Sequence, residues 1–548
     1  MKTVICCINS KYIHSSLAPW YLLAGCRRYA PELDVEVVEG TINENMSVVI
    51  DRIVATAPDC VGFCCYIWNI DYVNKVAEAV KSFLPNCIII LGGPEVSYNT
   101  KELLCKPYID YCIAGEGERP LPELLRCINA GVECEFKGVC SKEYSSSPYI
   151  FCDEPVDPYC DEYFETLNGR IAYIETTRGC PYSCAFCLSG RGEKPQSFPL
   201  GKVKENILKL SNSGTKTVKF VDRTFNANAD RANEIISFII DHSNIDIPND
   251  VCFHFEIAGD ILKSDTIELL GSARKGLFQL EIGLQSFNEK TLCAVNRRTD
   301  IERLCENIKK LVSLGNMHIH IDLIAGLPFE DINSFEKSYD LAFSLAPNML
   351  QLGFLKLLHG SAMRNVDYPY PCRFSKSAPY EVISTDWLNE MEIRHLHLLE
   401  DVTDRIVNSG RFKFTLKYAL AVSGKSPFNL LSELAEFIGN KTYRISLDEY
   451  TYKIYNFLLK YTDKDTLRDT LVCDRLCSDS SGNLPEFLKV YDDRLRYAKR
   501  DIDECDPKRS GVKRAYALLK SRNAVVYVDY DKKDKITGRY NIHRKIYN

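Results

Sequence analysis

Glu175-Thr176-Thr177-Arg178-Gly179-Cys180-Pro181-Tyr182-Ser183-Cys184-Ala185-Phe186-Cys187 follows the apolar run Ile171 to Thr177 and sets three cysteines in a CxxxCxxC spacing on the loop behind a predicted strand. Three thiolates at this spacing can wrap one iron–sulfur cube and leave one iron without a protein ligand. An incomplete shell is what a catalytic metal site needs, because substrate then takes the open position. The competing reading, a zinc site, wants a fourth cysteine or histidine nearby.

Downstream of this loop the pattern repeats. Strands are expected at Ile171 to Thr177, Thr217 to Asp222, Cys252 to Ile257, Leu277 to Leu284, His318 to Ile324 and Leu350 to Leu358. Helical stretches such as Lys202 to Leu210, Ala232 to Asp241, Ile301 to Leu314 and Ser334 to Leu345 lie between them. These βα units fit a partial (βα)6 barrel over 168–375, with function at the strand carboxyl ends. Upstream, 137–167 reads as a linker, rich in serine and proline around Ser145-Ser146-Ser147-Pro148. Residues 1–136 alternate strand and helix, as in a doubly wound, Rossmann-like α/β domain with a mostly parallel sheet. Beyond it, 376–548 is mainly helical, with helices expected at Trp387 to Val407, Leu430 to Phe437 and Leu447 to Tyr461 and a β-hairpin from Ala524 to Ile542.

Composition sets bounds on this reading. The chain has 548 residues, 45% of them hydrophobic and 26% charged, which is the make-up of folded globular domains rather than disordered chain. Its richest apolar runs are strand-length, well short of a membrane span, and the start, Met1 to Asn9, is too short for a secretory segment. A cytoplasmic protein is expected, without a membrane partner. There are 24 cysteines, and in such a compartment they stay reduced. Most, such as Cys6, Cys7, Cys64, Cys65 and Cys112, lie in apolar runs and read as small core hydrophobes. Residues 499–548 form a basic tail on an acidic body; a solvated surface is favoured there over a nucleic-acid contact.

The stretch Glu175 to Cys187 resembles the signature of the radical S-adenosylmethionine enzymes. The resemblance implies a 4Fe-4S cluster on Cys180, Cys184 and Cys187, with S-adenosylmethionine chelating the open iron. It also implies reductive cleavage to a 5′-deoxyadenosyl radical that abstracts hydrogen from substrate, and Phe186 matches an aromatic near the adenine. Gly283-Leu284-Gln285-Ser286, Arg297 and Asp322-Leu323-Ile324-Ala325-Gly326-Leu327-Pro328 resemble segments of the radical enzyme that decarboxylates coproporphyrinogen. Carried over, the cosubstrate contacts are Glu256, Gln285, Arg297 and Asp322, with Asp222 at the end of the second barrel strand. The ribose hydroxyls, ammonium and carboxylate of S-adenosylmethionine ask for acceptors and a guanidinium. If Asp322 faces the barrel interior, His318 and His320 point the same way.

Residues 1–136 resemble the cobalamin-binding domain that precedes the radical core in one large subclass. Gly92-Gly93-Pro94-Glu95-Val96-Ser97 and Gly115-Glu116-Gly117-Glu118 carry the match, with Tyr66-Ile67-Trp68-Asn69 less specific and Asn9 in the loop after the first strand. The DxHxxG motif that supplies a histidine to cobalt is absent. His14, the only histidine of this domain, is in the corresponding loop, either as an axial ligand or as a loop hydrogen-bonding residue. The helical end resembles a domain of unknown function that accompanies these two modules. The whole implies a cobalamin-dependent radical enzyme, a methyltransferase acting on an unactivated carbon of a small molecule, peptide or nucleic acid. A flavodoxin or ferredoxin-type electron donor, a monomer and an oxygen-poor (anaerobic) cytoplasm go with it. Three alternatives remain: cobalamin-assisted rearrangement, sulfur insertion of the methylthiotransferase kind, which wants a second cysteine triplet, and a non-catalytic sensor.

Overall fold

Val4 to Ile8 is an unbroken apolar run and is wholly buried, so the strand Lys2–Asn9 lies inside a sheet with neighbours on both edges. The sheet order is Asp34–Thr41, Lys2–Asn9, Cys60–Cys64, Ile88–Gly92, Tyr111–Ile113 and Val139–Cys140, the first five strands parallel and the last antiparallel. Helices Ala18–Tyr29, Met46–Val54, Ile70–Phe83 and Pro120–Ala130 connect the strands. In this doubly wound order the winding reverses between Lys2–Asn9 and Cys60–Cys64, and a crevice opens beyond the carboxyl ends of those two strands. The computed structural model describes residues 1–150, 155–190, 194–439 and 445–547.

The chain divides into two units. The first comprises Met1–Leu277, Cys293–Arg298 and Leu355–Ile383; the second comprises Phe278–Leu292, Thr299–Phe354 and Ser384–Asn548. The six strands of the βα series are split three to each. In the first unit, Ala172–Ile174, Thr217–Phe220 and Cys252–Ile257 pair in parallel in that order. In the second, Phe278–Gln285, His318–Ala325 and Met349–Phe354 do the same. The stretch expected to be an irregular linker instead contains Val139–Cys140, which extends the first sheet, and the short helix Asp161–Glu165. Both are too short for a periodic signal. Residues 151–154 of that stretch lie outside the described residues.

The rest of the second unit is mainly helical: Glu390–Val402, Lys413–Ser423, Pro427–Ile438, Leu447–Leu458, Lys464–Ser478 and Asp493–Cys505. The helix expected from Trp387 to Val407 begins at Glu390 and widens into a π turn over Thr403–Asn408. There the Asn408 amide bonds both backbone groups of Leu350, each at 2.8 Å, which gives the widened turn its tertiary cause. The expected hairpin is part of a three-stranded antiparallel sheet, Arg514–Leu519, Ala524–Asp529 and Ile542–Ile546. Its first strand escaped notice because Ala515, Ala517 and two leucines carry little β propensity or alternation. Among the described residues no helix is long and apolar enough to cross a membrane.

Candidate functional site

Cys180, Cys184 and Cys187 are all partly exposed free thiols, whereas Cys6, Cys7, Cys64, Cys65 and Cys112 are buried. The loop that carries the three is held from outside. Ala185 N–H donates to Val295 O at 2.9 Å and Met363 N–H donates to Ala185 O at 3.1 Å. Asn296 Nδ2 donates to Ser183 Oγ at 2.7 Å. The Arg297 guanidinium lies against the thiols, with Nη1 3.7 Å from Cys184 Sγ. Burial pushes the Cys184 thiol above its ordinary range, and Arg297 pulls against that shift. A cation facing soft sulfur donors suits the net negative charge of a thiolate-bound cluster.

A cavity of about 670 Å³ lies on the same unit, floored by the first sheet. Asn9, His14, Trp68, Gly92, Gly93, Pro94, Gly115, Glu116 and Gly117 line it, as does Glu256. Two of the glycines are required by the backbone: a Cβ on Gly93 (φ 115°) would lie 2.5 Å from Cys65 O, and one on Gly115 (φ 87°) 2.1 Å from Tyr149 O. Gly62, in the middle of the strand Cys60–Cys64, has a different role. A Cβ there would meet nothing within 4 Å, and the residue lines the cavity. The space a side chain would fill has been left open above the sheet, which fits a large flat ligand lying close on the backbone. Sequence reasoning missed Gly62; its signal was a glycine inside an otherwise apolar strand.

His14 Nδ1 is 2.7 Å from the Tyr173 hydroxyl. Burial, then Lys11, Lys219 and Arg170, hold its pKa below the ordinary histidine value, so the imidazole is neutral at pH 7. Trp68 is 46% exposed and stacks on Tyr66 with ring centres 4.3 Å apart. On the far wall Lys219, Val221 and Arg223 alternate into the cavity, with Lys219 Nζ and Arg223 Nη1 each 3.7 Å from a Glu256 oxygen. Lys219 and Arg223 were also missed; the period-two spacing at a strand end was the signal.

Three expected contacts have other work. Asn69 is fully buried; its Nδ2 donates to Ile8 O at 2.9 Å and Cys64 O at 3.0 Å, and its Oδ1 accepts from Tyr66 N–H at 2.7 Å. It holds two strand ends together and is not on the cavity wall. Glu95 is buried and accepts from the Tyr380 hydroxyl at 2.8 Å. Asp222 is buried, accepting from Thr176 N–H at 2.8 Å and its hydroxyl at 2.5 Å, and burial pushes its pKa up to about 7. A short polar residue at a strand end serves such strand ties as readily as a ligand. Phe186 is half-buried on the cysteine loop.

Gln285 and Asp322 belong to the second unit. Gln285 ends its strand at φ 74° beside a register shift. Asp322 Oδ1 is 2.9 Å from His320 Nε2, and His320 Nδ1 is 4.0 Å from Glu281 Oε2. His320 and Asp322 therefore share a face, as strand alternation requires, and the three side chains bring possible ligand atoms within 4.8 Å of one another.

Family models match three segments: the B12 binding domain over residues 3–125, the Radical SAM superfamily over 174–342, and a protein of unknown function, DUF4080, over 368–523. The chain joins a B12 domain to a radical SAM domain. The matched families name cobalamin (B12) and S-adenosylmethionine, and the structure of the radical S-adenosylmethionine methyltransferase TsrM from Kitasatospora setae holds cobalamin and a [4Fe-4S] cluster. The 2-(S-pantetheinyl)-carbapenam-3-carboxylate methyltransferase of Streptantibioticus cattleyicolor is 26% identical over 349 residues, 57% of this chain and 50% of that protein. The cobalamin-dependent radical SAM methyltransferase TokK of Streptomyces tokunonensis is 27% identical over 308 residues, 51% and 44% respectively. The chain thus spans about half the length of these relatives. The cobalamin-dependent radical enzyme OxsB with aqua-cobalamin bound shares the fold, with a TM-score of 0.58 at 14% identity over 93% of this chain and 82% of that one.

Proposed function

We propose that this B12-domain radical SAM protein is a methyltransferase that places a methyl group on an unactivated carbon. The observation that carries the reading is the junction, within one unit, of the clamped CxxxCxxC loop and the glycine-floored cavity: Arg178, two residues before Cys180, is itself on the cavity wall. When bound, the cofactors supply a 5′-deoxyadenosyl radical and a transferable methyl group. The residues do the rest. Cys180, Cys184 and Cys187 hold the metal and leave one position open. Arg297 offers a guanidinium beside the thiols, suited to a carboxylate, and Glu256 offers an acceptor suited to an ammonium. Gly62, Gly92 and Gly93 let a corrin-sized ligand lie close against the sheet, and Trp68 with Tyr66 provides an aromatic wall. Neutral His14, with Nδ1 engaged by Tyr173, keeps Nε2 as its remaining nitrogen for a ligand. The protein is proposed to act as a monomer in an oxygen-poor cytoplasm with a flavodoxin or ferredoxin-type donor.

The test is anaerobic reconstitution of the full chain with iron and sulfide, then incubation with methyl-labelled S-adenosylmethionine, cobalamin and a reductant. Formation of 5′-deoxyadenosine together with label on cobalamin supports the proposal. Neither product from a protein carrying a full cluster contradicts it. Label on cobalamin without 5′-deoxyadenosine would confine the chemistry to polar methyl transfer, and 5′-deoxyadenosine without label would favour the rearrangement reading.

A further inference from the structure

Arg178 gathers three carboxylates that come from two different parts of the first unit. Its Nε and Nη2 form a fork on Glu175, at 3.0 Å to Oε1 and 2.8 Å to Oε2. Nη1 donates to Glu118 Oε1 at 2.8 Å and lies 3.5 Å from Glu116 Oε2. The guanidinium sits 5.1 Å from the centre of the Tyr21 ring. Glu175 directly follows the strand Ala172–Ile174 that leads into the cysteine loop. Glu116 and Glu118 flank Gly117 in the loop after Tyr111–Ile113, on the cavity wall. Side-chain exposures of 20% for Arg178, 13% for Glu175 and 8% for Glu118 take this cluster largely out of water.

The backbone of the acidic loop is fixed from outside as well. Glu116 N–H donates to Tyr149 O at 2.9 Å, and Gly25 packs so close that a Cβ there would lie 2.2 Å from Glu118 O. Its side chains point to Arg178. Removing a partner from a buried ion cluster leaves uncompensated charge, a larger effect than the net worth of the pairs. Without the guanidinium, three carboxylates would face one another, and both the strand end before Cys180 and the Gly115–Glu118 wall would have to shift. An Arg fork also fixes direction, which a lysine cannot reproduce.

We infer that Arg178 is a positioning residue that couples the two halves of the site, so that cobalamin in the cavity and the cluster on the cysteine loop stabilise each other through the Glu118–Arg178–Glu175 bridge. The inference rests on the proposed cobalamin site. Such coupling is reciprocal by thermodynamic necessity and is ordinarily about 5–150-fold.

It is tested on the full chain by two ratios. One is the cobalamin Kd with and without the reconstituted cluster, followed by absorbance. The other is the share of iron retained at equilibrium against a competing chelator, read as an apparent iron affinity, with and without cobalamin. In the unaltered protein each ratio is expected to be about fivefold or more. In Arg178→Gln both fall to near one, and in Arg178→Lys they are intermediate. A merely structural role would change absolute affinities and leave the ratios. Should Arg178→Gln not fold, Glu118→Gln, which keeps shape and removes one charge, must lower the same ratios. Ratios near one in the unaltered protein, or ratios unchanged by the variants, overturn the coupling alone. No cobalamin binding at all overturns both the coupling and the site on which it rests.

Discussion

The two sides of the first-unit cavity are built by opposite means. The floor is made by subtraction: Gly62 leaves the space of a side chain open, Gly93 turns where no Cβ would fit, and the buried Asn69 ties two strand ends together away from the wall. The cysteine loop is made by addition: backbone clamps at Ala185, the Asn296 amide and two guanidiniums, Arg178 and Arg297, fix it. A large cofactor needs room and shape, and a metal cluster needs donors and compensating charge. Substitutions on the two sides should therefore fail differently.

The largest expected effect is on the charged side. Cys184→Ala removes a metal ligand, and its loss of bound iron and of 5′-deoxyadenosine formation should exceed the roughly 10–100-fold that losing a supporting partner costs a metal site. Arg297→Leu removes such a partner and should accelerate iron loss to a chelator by about that 10–100-fold, with melting little changed. If the two variants lose iron equally slowly, charge does not hold the loop. On the other side, Asn69→Ala strips three hydrogen bonds from a buried tie. It should lower folding stability by about 1–3 kcal/mol in denaturant titration, while cobalamin affinity per folded molecule stays the same.

Donors were legible in the sequence and space was not. The CxxxCxxC triplet could be read because its spacing is fixed by one short loop. The two parallel sheets followed from apolar runs punctuated by helices. What a glycine leaves open depends on which strands lie beside it, so Gly62 was invisible while Gly92-Gly93, at a strand end, was not. Asn69, Glu95 and Asp222 looked like ligands because a strand-end polar residue has the same sequence signature whether it faces a cavity or ties two strands. Arg178 lay inside the quoted motif, yet its partners Glu116 and Glu118 are about 60 residues earlier, beyond any local pattern.

The smallest effect contrasts two ways of burying a carboxylate. Glu175 and Glu118 have a guanidinium; Glu330, fully buried in the second unit, accepts from the Ser286 and Ser338 hydroxyls, at 2.9 and 2.8 Å, and burial pushes its pKa up to about 7. The folded protein then holds a proton that the unfolded chain has released, so stability falls as pH rises from the ordinary carboxylate range through 7. About 1 kcal/mol should be lost between roughly pH 6 and 8. Asp222, also raised to about 7, adds a slope of the same sign, so Glu330→Gln should remove about half of the total; an unchanged slope would mean that Glu330 carries none of it.

The most direct test of the central claim is the amount of cobalamin that stays with the anaerobically reconstituted full chain through gel filtration, for the unaltered protein and for Gly62→Leu. Because a side chain at position 62 would enter open space, the variant should melt within a few degrees of the unaltered protein. The account predicts close to one equivalent retained by the unaltered protein and little by Gly62→Leu. No retained cobalamin in the unaltered protein, or equal retention by the two, would contradict it.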